Sequence, residues 1–139
     1  MIIFMILEGR HIKLEEYQQG SYIFFEDDLD AHFYIIDEGT VQIYTKDNKG
    51  HRLELADLGP GEAFGEIALL DKSPRSASAQ AITYVKLYKV SEAGYHQLIQ
   101  ELPVWAQSLL KSFANRVRKM NQILKKQNEL LDSLKSHEV

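Results

Sequence analysis

The chain has 139 residues and a mass of 16.0 kDa, with 45% apolar and 26% charged residues, a formal charge of −4 and a sequence pI of about 5.7. These values fit one globular domain and exclude a fibrous or wholly disordered chain. Cysteine is absent, which excludes a disulfide framework, a cysteine-ligated zinc and a thiol nucleophile, and fits a reducing, cytoplasmic setting.

The first apolar run, Met1 to Leu7, ends at Glu8. A membrane span needs about 20 apolar residues, and a secretory signal needs a cationic start and a cleavage site. The run therefore reads as a first β-strand or a frayed terminus, and no membrane association is expected. Ser21 to Phe25 and His32 to Asp37 are rich in aromatic and β-branched residues and read as strands. Val41 to Tyr44 and Arg52 to Leu55 alternate around the turn residues Asp47-Asn48-Lys49-Gly50, so residues 40 to 56 read as a hairpin. Gly59-Pro60-Gly61 is a break, and Ala77 to Ala81 and Tyr84 to Val90 are the last β-like runs. Strands so closely spaced suggest a sandwich, roll or barrel rather than βαβ units.

At Ser91 the period changes. Ser91 is a candidate N-cap, followed by Tyr95, Leu98 and Ile99 at helical spacing. Pro103 suits the first turn of a second helix. From there to about residue 135 neither Pro nor Gly occurs. Leu110, Phe113, Val117, Met120, Leu124, Leu131 and Leu134 recur at steps of three and four, with Gln127 in the one polar slot. This is a heptad seam, too long for a small β-domain to cover, and it predicts homodimerisation through the C-terminal helix. The same helix is basic between residues 111 and 135, with Lys111, Arg116, Arg118, Lys119, Lys125, Lys126 and Lys135 against Glu129 and Asp132. A solvated helix face accounts for that charge.

One segment carries chemistry: Gly61-Glu62-Ala63-Phe64-Gly65-Glu66-Ile67-Ala68-Leu69-Leu70-Asp71-Lys72-Ser73-Pro74-Arg75-Ser76-Ala77-Ser78-Ala79. It reads as a turn, a short helix over Glu66 to Leu70, a second turn and the start of a strand. Gly65 allows close backbone approach, free N–H groups at a helix start favour an anion, and the fork of Arg75 suits a phosphate. Glu66 beside an anion makes sense if the ligand also offers hydroxyl donors, as a ribose does.

The run FGEIALLDKSPRSASA resembles the phosphate-binding cassette of cyclic-nucleotide-binding domains, the module of the bacterial catabolite activator and of kinase regulatory subunits. The resemblance extends to YIFFEDDLDAHFYIIDEGTVQIY and covers most of residues 13 to 125. It implies a β-roll (a double-stranded β-helix, jelly-roll-like) with a short cassette helix and long C-terminal helices. It implies one domain over 1–139: the roll over 1–90 with the cassette at 61–79, and helices over 91–139. It implies that Arg75 pairs with the cyclic phosphate, that Glu66 accepts from the ribose 2′-hydroxyl, and that Gly65 lines the ribose. Ile67, Ala68, Ser76 and Ala77 would supply amides and the Ser76 hydroxyl. Ile43, Leu53 and Leu55 would wall the base, and Met120 and Asn121 match the helix positions that contact it. The ligand implied is cyclic AMP, with cyclic GMP the alternative and no other cofactor. A downstream protein partner is a further expectation.

The run Glu26-Asp27-Asp28-Leu29-Asp30 departs from the family, which usually has Gly before the Asp of this turn; altered turn geometry is expected, with little effect on binding. The chain leaves no room for the winged helix-turn-helix of the catabolite activator, so no nucleic-acid partner is expected. Two readings stand against the sensor. One is a scaffold module with a vestigial pocket that assembles through its helix. The other is a cupin-type metalloenzyme, which needs a His-x-His pair with further ligands; His11, His32, His51, His96 and His137 form no such set. No catalytic residue and no metal ligand is assigned.

Overall fold

Alternating side chains between residues 12 and 91 build eight strands among the described residues: β1 Ile12–Tyr17, β2 Tyr22–Phe24, β3 His32–Glu38, β4 Val41–Lys46, β5 Arg52–Leu58, β6 Ala63–Phe64, β7 Ser78–Ala81 and β8 Val85–Ser91. Two helices follow, α1 Glu92–Gln100 and α2 Val104–Ser136. The computed structural model describes residues 11–30, 32–65 and 74–136. The expected strand or terminus at Met1 to Leu7 and the expected cassette helix at Glu66 to Leu70 lie outside them.

The strands form two four-stranded sheets, ordered β1-β8-β3-β6 and β2-β7-β4-β5, with every neighbouring pair antiparallel. This corrects the expectation of a β-roll. Closure would require the edge strands of one sheet to pair with those of the other, but among the described residues β1 pairs with β8 alone and β5 with β4 alone. The other two edges, β6 with two residues and β2 with three, are too short to supply a second ladder. Two open sheets therefore face each other across a shared core.

That core takes Tyr34, Ile36, Phe64, Val85 and Leu87 from the first sheet and Phe24, Val41, Ala79 and Ala81 from the second. The opposite face of β3 and β8 carries Phe33 and Val90, which pack on Tyr95 of α1. Gly39, at φ +92°, links β3 to β4; a Cβ there would lie 2.1 Å from the Tyr84 carbonyl oxygen, so only glycine fits. The β4–β5 turn forms as its residues predict. Asp47 Oδ1 accepts from the N–H groups of Lys49 and His51 at 2.9 and 2.8 Å. A bulge shifts the register between Ile43 and Tyr44.

Ser91 caps α1, its hydroxyl accepting from Gly94 N at 3.1 Å. Pro103 precedes α2, and its carbonyl accepts from Ala106 N and Gln107 N. α2 then runs for 33 residues, roughly 50 Å, and turns a polar face to the sheets. Ala114 is buried and Asn121, Lys125, Asn128 and Asp132 are half-buried along one side. Lys125 Nζ donates to Glu26 Oε2 at 3.0 Å, Asn128 Nδ2 donates to Asp47 Oδ2 at 3.0 Å, and His51 Nδ1 lies 3.3 Å from Asp132 Oδ2. The distal half of α2 is thus latched to the hairpin, whereas the sequence suggests that it needs a partner helix for cover. The apolar seam from Leu110 to Leu134 stays exposed. Among the described residues no helix is long and apolar enough to cross a membrane.

Leu87 is fully buried between the sheets. Leu87→Ala should cost about 2–5 kcal/mol of stability, read as a lower urea midpoint with an unchanged slope; a loss below about 0.5 kcal/mol would contradict this packing.

Candidate functional site

A cavity of about 300 Å³ opens between the second sheet, the β6 end and α2. Ile43, Leu55, Leu58, Phe64 and Val117 give it an apolar wall, and Arg75, Ser76 and Asn121 a polar end. A second hollow of about 240 Å³ shares Arg75, Ser76 and Asn121 and is otherwise lined by charged and polar groups, among them Glu26, Arg118 and Lys125. The arrangement suits a molecule with one flat apolar part and one anionic part.

Arg75 governs the polar end. It is 2% exposed. Its Nη1 donates to the Gly65 carbonyl at 2.6 Å, and its Nη2 to the His32 carbonyl at 2.6 Å and Asp30 Oδ2 at 3.2 Å. The guanidinium lies 4.1 Å above the Phe24 ring, a favourable cation–π distance. The buried Nε has no hydrogen-bond partner, and an unpaired buried donor costs about 1–3 kcal/mol until something accepts from it. The turn before β3 is fastened to the same residue: Arg75 N donates to Asp28 O at 2.9 Å and Asp27 N to Arg75 O at 2.8 Å. Asp27 has φ +73°, a conformation glycine adopts more easily. The departure from the family pattern at Glu26 to Asp30 therefore abuts Arg75.

Burial alone would raise the Asp30 carboxyl, but hydrogen bonds from His32 and Arg75 outweigh it and hold Asp30 below the usual carboxylate range. Burial, reinforced by the Asp30 charge, pushes the Tyr34 phenol well above its ordinary value.

Of the residues singled out from sequence, Ile43, Leu55, Gly65, Arg75, Ser76, Ala77 and Asn121 line the one cavity. Leu53 and Met120 are not among its lining residues, and Met120 is 61% exposed. Glu66, Ile67 and Ala68 lie outside the described residues. Phe24, Leu58 and Val117 line the cavity without having been singled out for it. Leu58 is brought in by the bulge: Val41 pairs with Leu58 and Ile43 with Ala56, so the β5 positions facing the cavity change parity along the strand. Val117 was legible only as a seam residue. Among the described residues, Asp47, His51 and Asp132 have the donor chemistry for a metal ion, with ligand atoms within 4.8 Å of one another. Asp47 is already occupied by Asn128 and two backbone N–H groups, so the cluster reads as part of the helix latch.

Residues 14–102 match the family described as Cyclic nucleotide-binding domain. The chain belongs to that family. As a cyclic-nucleotide-binding domain it is a regulatory module, and the match does not fall on a catalytic part of its relatives. It is 40% identical over 102 residues to the cyclic AMP receptor protein of Thermus thermophilus, covering 73% of this chain and 47% of that protein. It is 35% identical over 116 residues to the mouse potassium/sodium hyperpolarization-activated cyclic nucleotide-gated channel 2, covering 81% of this chain and 13% of the channel. The chain therefore spans less than half the length of these curated relatives. Among solved structures, the EAL enzyme Bd1971 in its cAMP-bound form superposes with a TM-score of 0.73 at 29% identity, covering 91% of this chain and 35% of that one. The Thermus thermophilus catabolite activator protein superposes with a TM-score of 0.68 at 36% identity, covering 87% and 55%.

Gly65 sits at φ +85°, and a Cβ there would lie 2.8 Å from Arg75 Nη1 and 3.2 Å from His32 O. Gly65→Ala should destabilise the domain by about 1 kcal/mol or more, seen as a lower thermal midpoint. An unchanged midpoint would show that neither the backbone strain nor the arginine contact matters.

Proposed function

We propose that the chain is a cyclic-nucleotide sensor whose ligand is cyclic AMP, with cyclic GMP the alternative, and that its C-terminal helix reports occupancy. The observation that carries this reading is Arg75, buried at the polar end of an otherwise apolar cavity with an unsatisfied Nε. In this reading the cyclic phosphate takes Arg75 and the Ser76 hydroxyl, and Glu66 accepts from the ribose 2′-hydroxyl beside Gly65. The amides of Ile67, Ala68 and Ala77 complete the cradle. The base rests on Ile43 and Leu55, with Val117 and Asn121 over it. A relative carrying cyclic AMP in its name and a solved neighbour in its cAMP-bound form support the ligand class, and another form of that neighbour, bound to cGMP, supports the alternative.

Residues 1–139 are proposed as one domain, with the sheets and cassette before residue 91 and the reporting helices after it. The chain is also proposed to be cytoplasmic and to act on a protein partner, without binding nucleic acid. α2 supplies the output. It contributes Val117 and Asn121 to the cavity and is latched to the hairpin farther along. A ligand that contacts the docked helix shifts its packing by the difference in affinity for the two states. The exposed seam supports homodimerisation through α2.

Arg75→Gln should weaken cyclic AMP binding by about 2–5 kcal/mol, roughly 30-fold to several-thousand-fold, in a calorimetric titration set beside cyclic GMP. Equal affinity in the variant would remove the phosphate role. No binding of either nucleotide by the wild-type chain would favour the scaffold reading, which the exposed seam also supports.

The dimer is tested by sedimentation. Leu124 and Leu131 are exposed seam residues, each worth about 1.5–3 kcal/mol if buried against a mate. Leu124→Glu with Leu131→Glu should give a monomer with an intact β-domain; a wild-type chain already monomeric at micromolar concentration rules out the seam.

A further inference from the structure

The carboxylate of Asp30 is shared. Its Oδ1 lies 2.6 Å from His32 Nδ1 and its Oδ2 lies 3.2 Å from Arg75 Nη2, with the Tyr34 hydroxyl donating to the same Oδ2 at 3.5 Å. An ionised carboxylate only accepts, so His32 Nδ1 carries the hydrogen and Nε2 is the nitrogen left to take a proton. The main-chain carbonyl of His32 also accepts from Arg75 Nη2. His32 thus bears on the guanidinium twice, through its own backbone and through Asp30.

We propose that His32 is a positioning residue that sets how firmly Asp30 holds Arg75, so that capture of a cyclic phosphate draws a proton from solvent onto His32 Nε2. The proposal rests on the reading of Arg75 as the phosphate-binding residue. With a neutral imidazole, Arg75 is the only full positive charge on Asp30 among the described residues, and an incoming phosphate competes with that carboxylate for the fork. With an imidazolium, Asp30 has a second cation at 2.6 Å, and the guanidinium is freer to turn its donors to the ligand. Within the His32, Asp30 and Arg75 triad the charges of Arg75 and Asp30 cancel, and a cyclic phosphate monoanion brought to Arg75 favours a proton on His32. A half-buried site disfavours net charge.

The groups around His32 leave few competitors for this proton. Asp30 lies on the connection from β2, Tyr34 follows on β3, and Arg75 comes from the segment before β7. Ser91 of β8 stands opposite in the strand pairing, with His11 Nδ1 3.3 Å from its hydroxyl. Beyond them Glu15 of β1 accepts from Tyr17 and faces Lys89 of β8 at 3.8 Å. Asp30 is held below and Tyr34 above their ordinary ranges, so neither titrates between pH 5.5 and 8, where imidazoles do. By linkage, a proton taken up on binding means that affinity falls as pH rises through that window.

The test is calorimetric titration of the wild-type chain with cyclic AMP at pH 6.5 in two buffers of different ionisation enthalpy, with the Kd followed from pH 5.5 to 8. Uptake of a fraction of a proton is expected, with a Kd about three- to tenfold weaker at pH 8 than at pH 5.5; both effects should vanish in His32→Gln. To keep the test independent of how that variant folds, the His32 ring of the wild type is followed by NMR, and its titration midpoint should rise when cyclic AMP saturates the site. Binding with no proton uptake, uptake that persists in His32→Gln, or an unmoved midpoint would each overturn the role of His32 while leaving cyclic-nucleotide binding intact. No binding of cyclic AMP or cyclic GMP at any pH would overturn both.

Discussion

Placing a guanidinium out of reach of water is the constraint around which the site is arranged. An ion removed from water without partners costs several kcal/mol, so a side chain as enclosed as Arg75 requires acceptors from its surroundings. The chain brings them from three places: the Gly65 carbonyl after β6, the His32 carbonyl at the start of β3, and the Asp30 carboxylate before it. The ring of Phe24, from the other sheet, closes the underside. Each acceptor fixes a local feature. Gly65 must lack a Cβ, β3 must begin where it does, and the turn at Glu26 to Asp30 must fold back to pair with the Arg75 backbone. These acceptors take three of the guanidinium's five N–H donors, all on the terminal nitrogens, and leave Nε without a partner among the described residues.

α2 inverts the usual arrangement of an amphipathic helix. A helix beside a β-domain ordinarily buries its apolar stripe and shows its charges to water. Here the stripe that docks carries Asn121, Lys125, Asn128 and Asp132, held by discrete polar contacts to Glu26, Asp47 and His51. The apolar seam faces outward apart from Val117, which lines the cavity. Polar contacts of this kind contribute about 0.5–1.5 kcal/mol each, enough to define a docked position and little enough to be reversed. A helix held this way can change its seating without exposing a hydrophobic core.

Much of this was legible in the residues. Aromatic and β-branched runs marked β2, β3, β4 and β8, the Asp47 to Gly50 turn marked the hairpin, and Ser91 marked the start of α1. The cassette motif singles out Arg75, which lines the cavity. What escaped has physical reasons. β1 reads Ile12-Lys13-Leu14-Glu15-Glu16-Tyr17, an edge strand too charged to resemble its neighbours, and β6 has two residues, too short for any period to appear. Open sheets in place of a closed roll depend on which strand edges meet, a long-range property that local pattern does not encode. Leu58 is displaced into the cavity by a bulge, and the approach of His32 to Asp30 is a side-chain contact that no spacing signals. The seam of α2 was legible as apolar, but that the adjacent polar face would do the docking was not.

Among the described residues the sheets do not close and four strand edges remain, and the long ones, β1 and β5, present backbone groups to any other chain that offers a strand. Their side chains work against such pairing. β1 carries Lys13, Glu15 and Glu16, and β5 carries Arg52, Glu54 and Asp57. A foreign strand added to either edge would have to bury or oppose these charges, and α2 also lies against β5. Strand-by-strand stacking into fibrils is thereby discouraged although the ladders are unfinished.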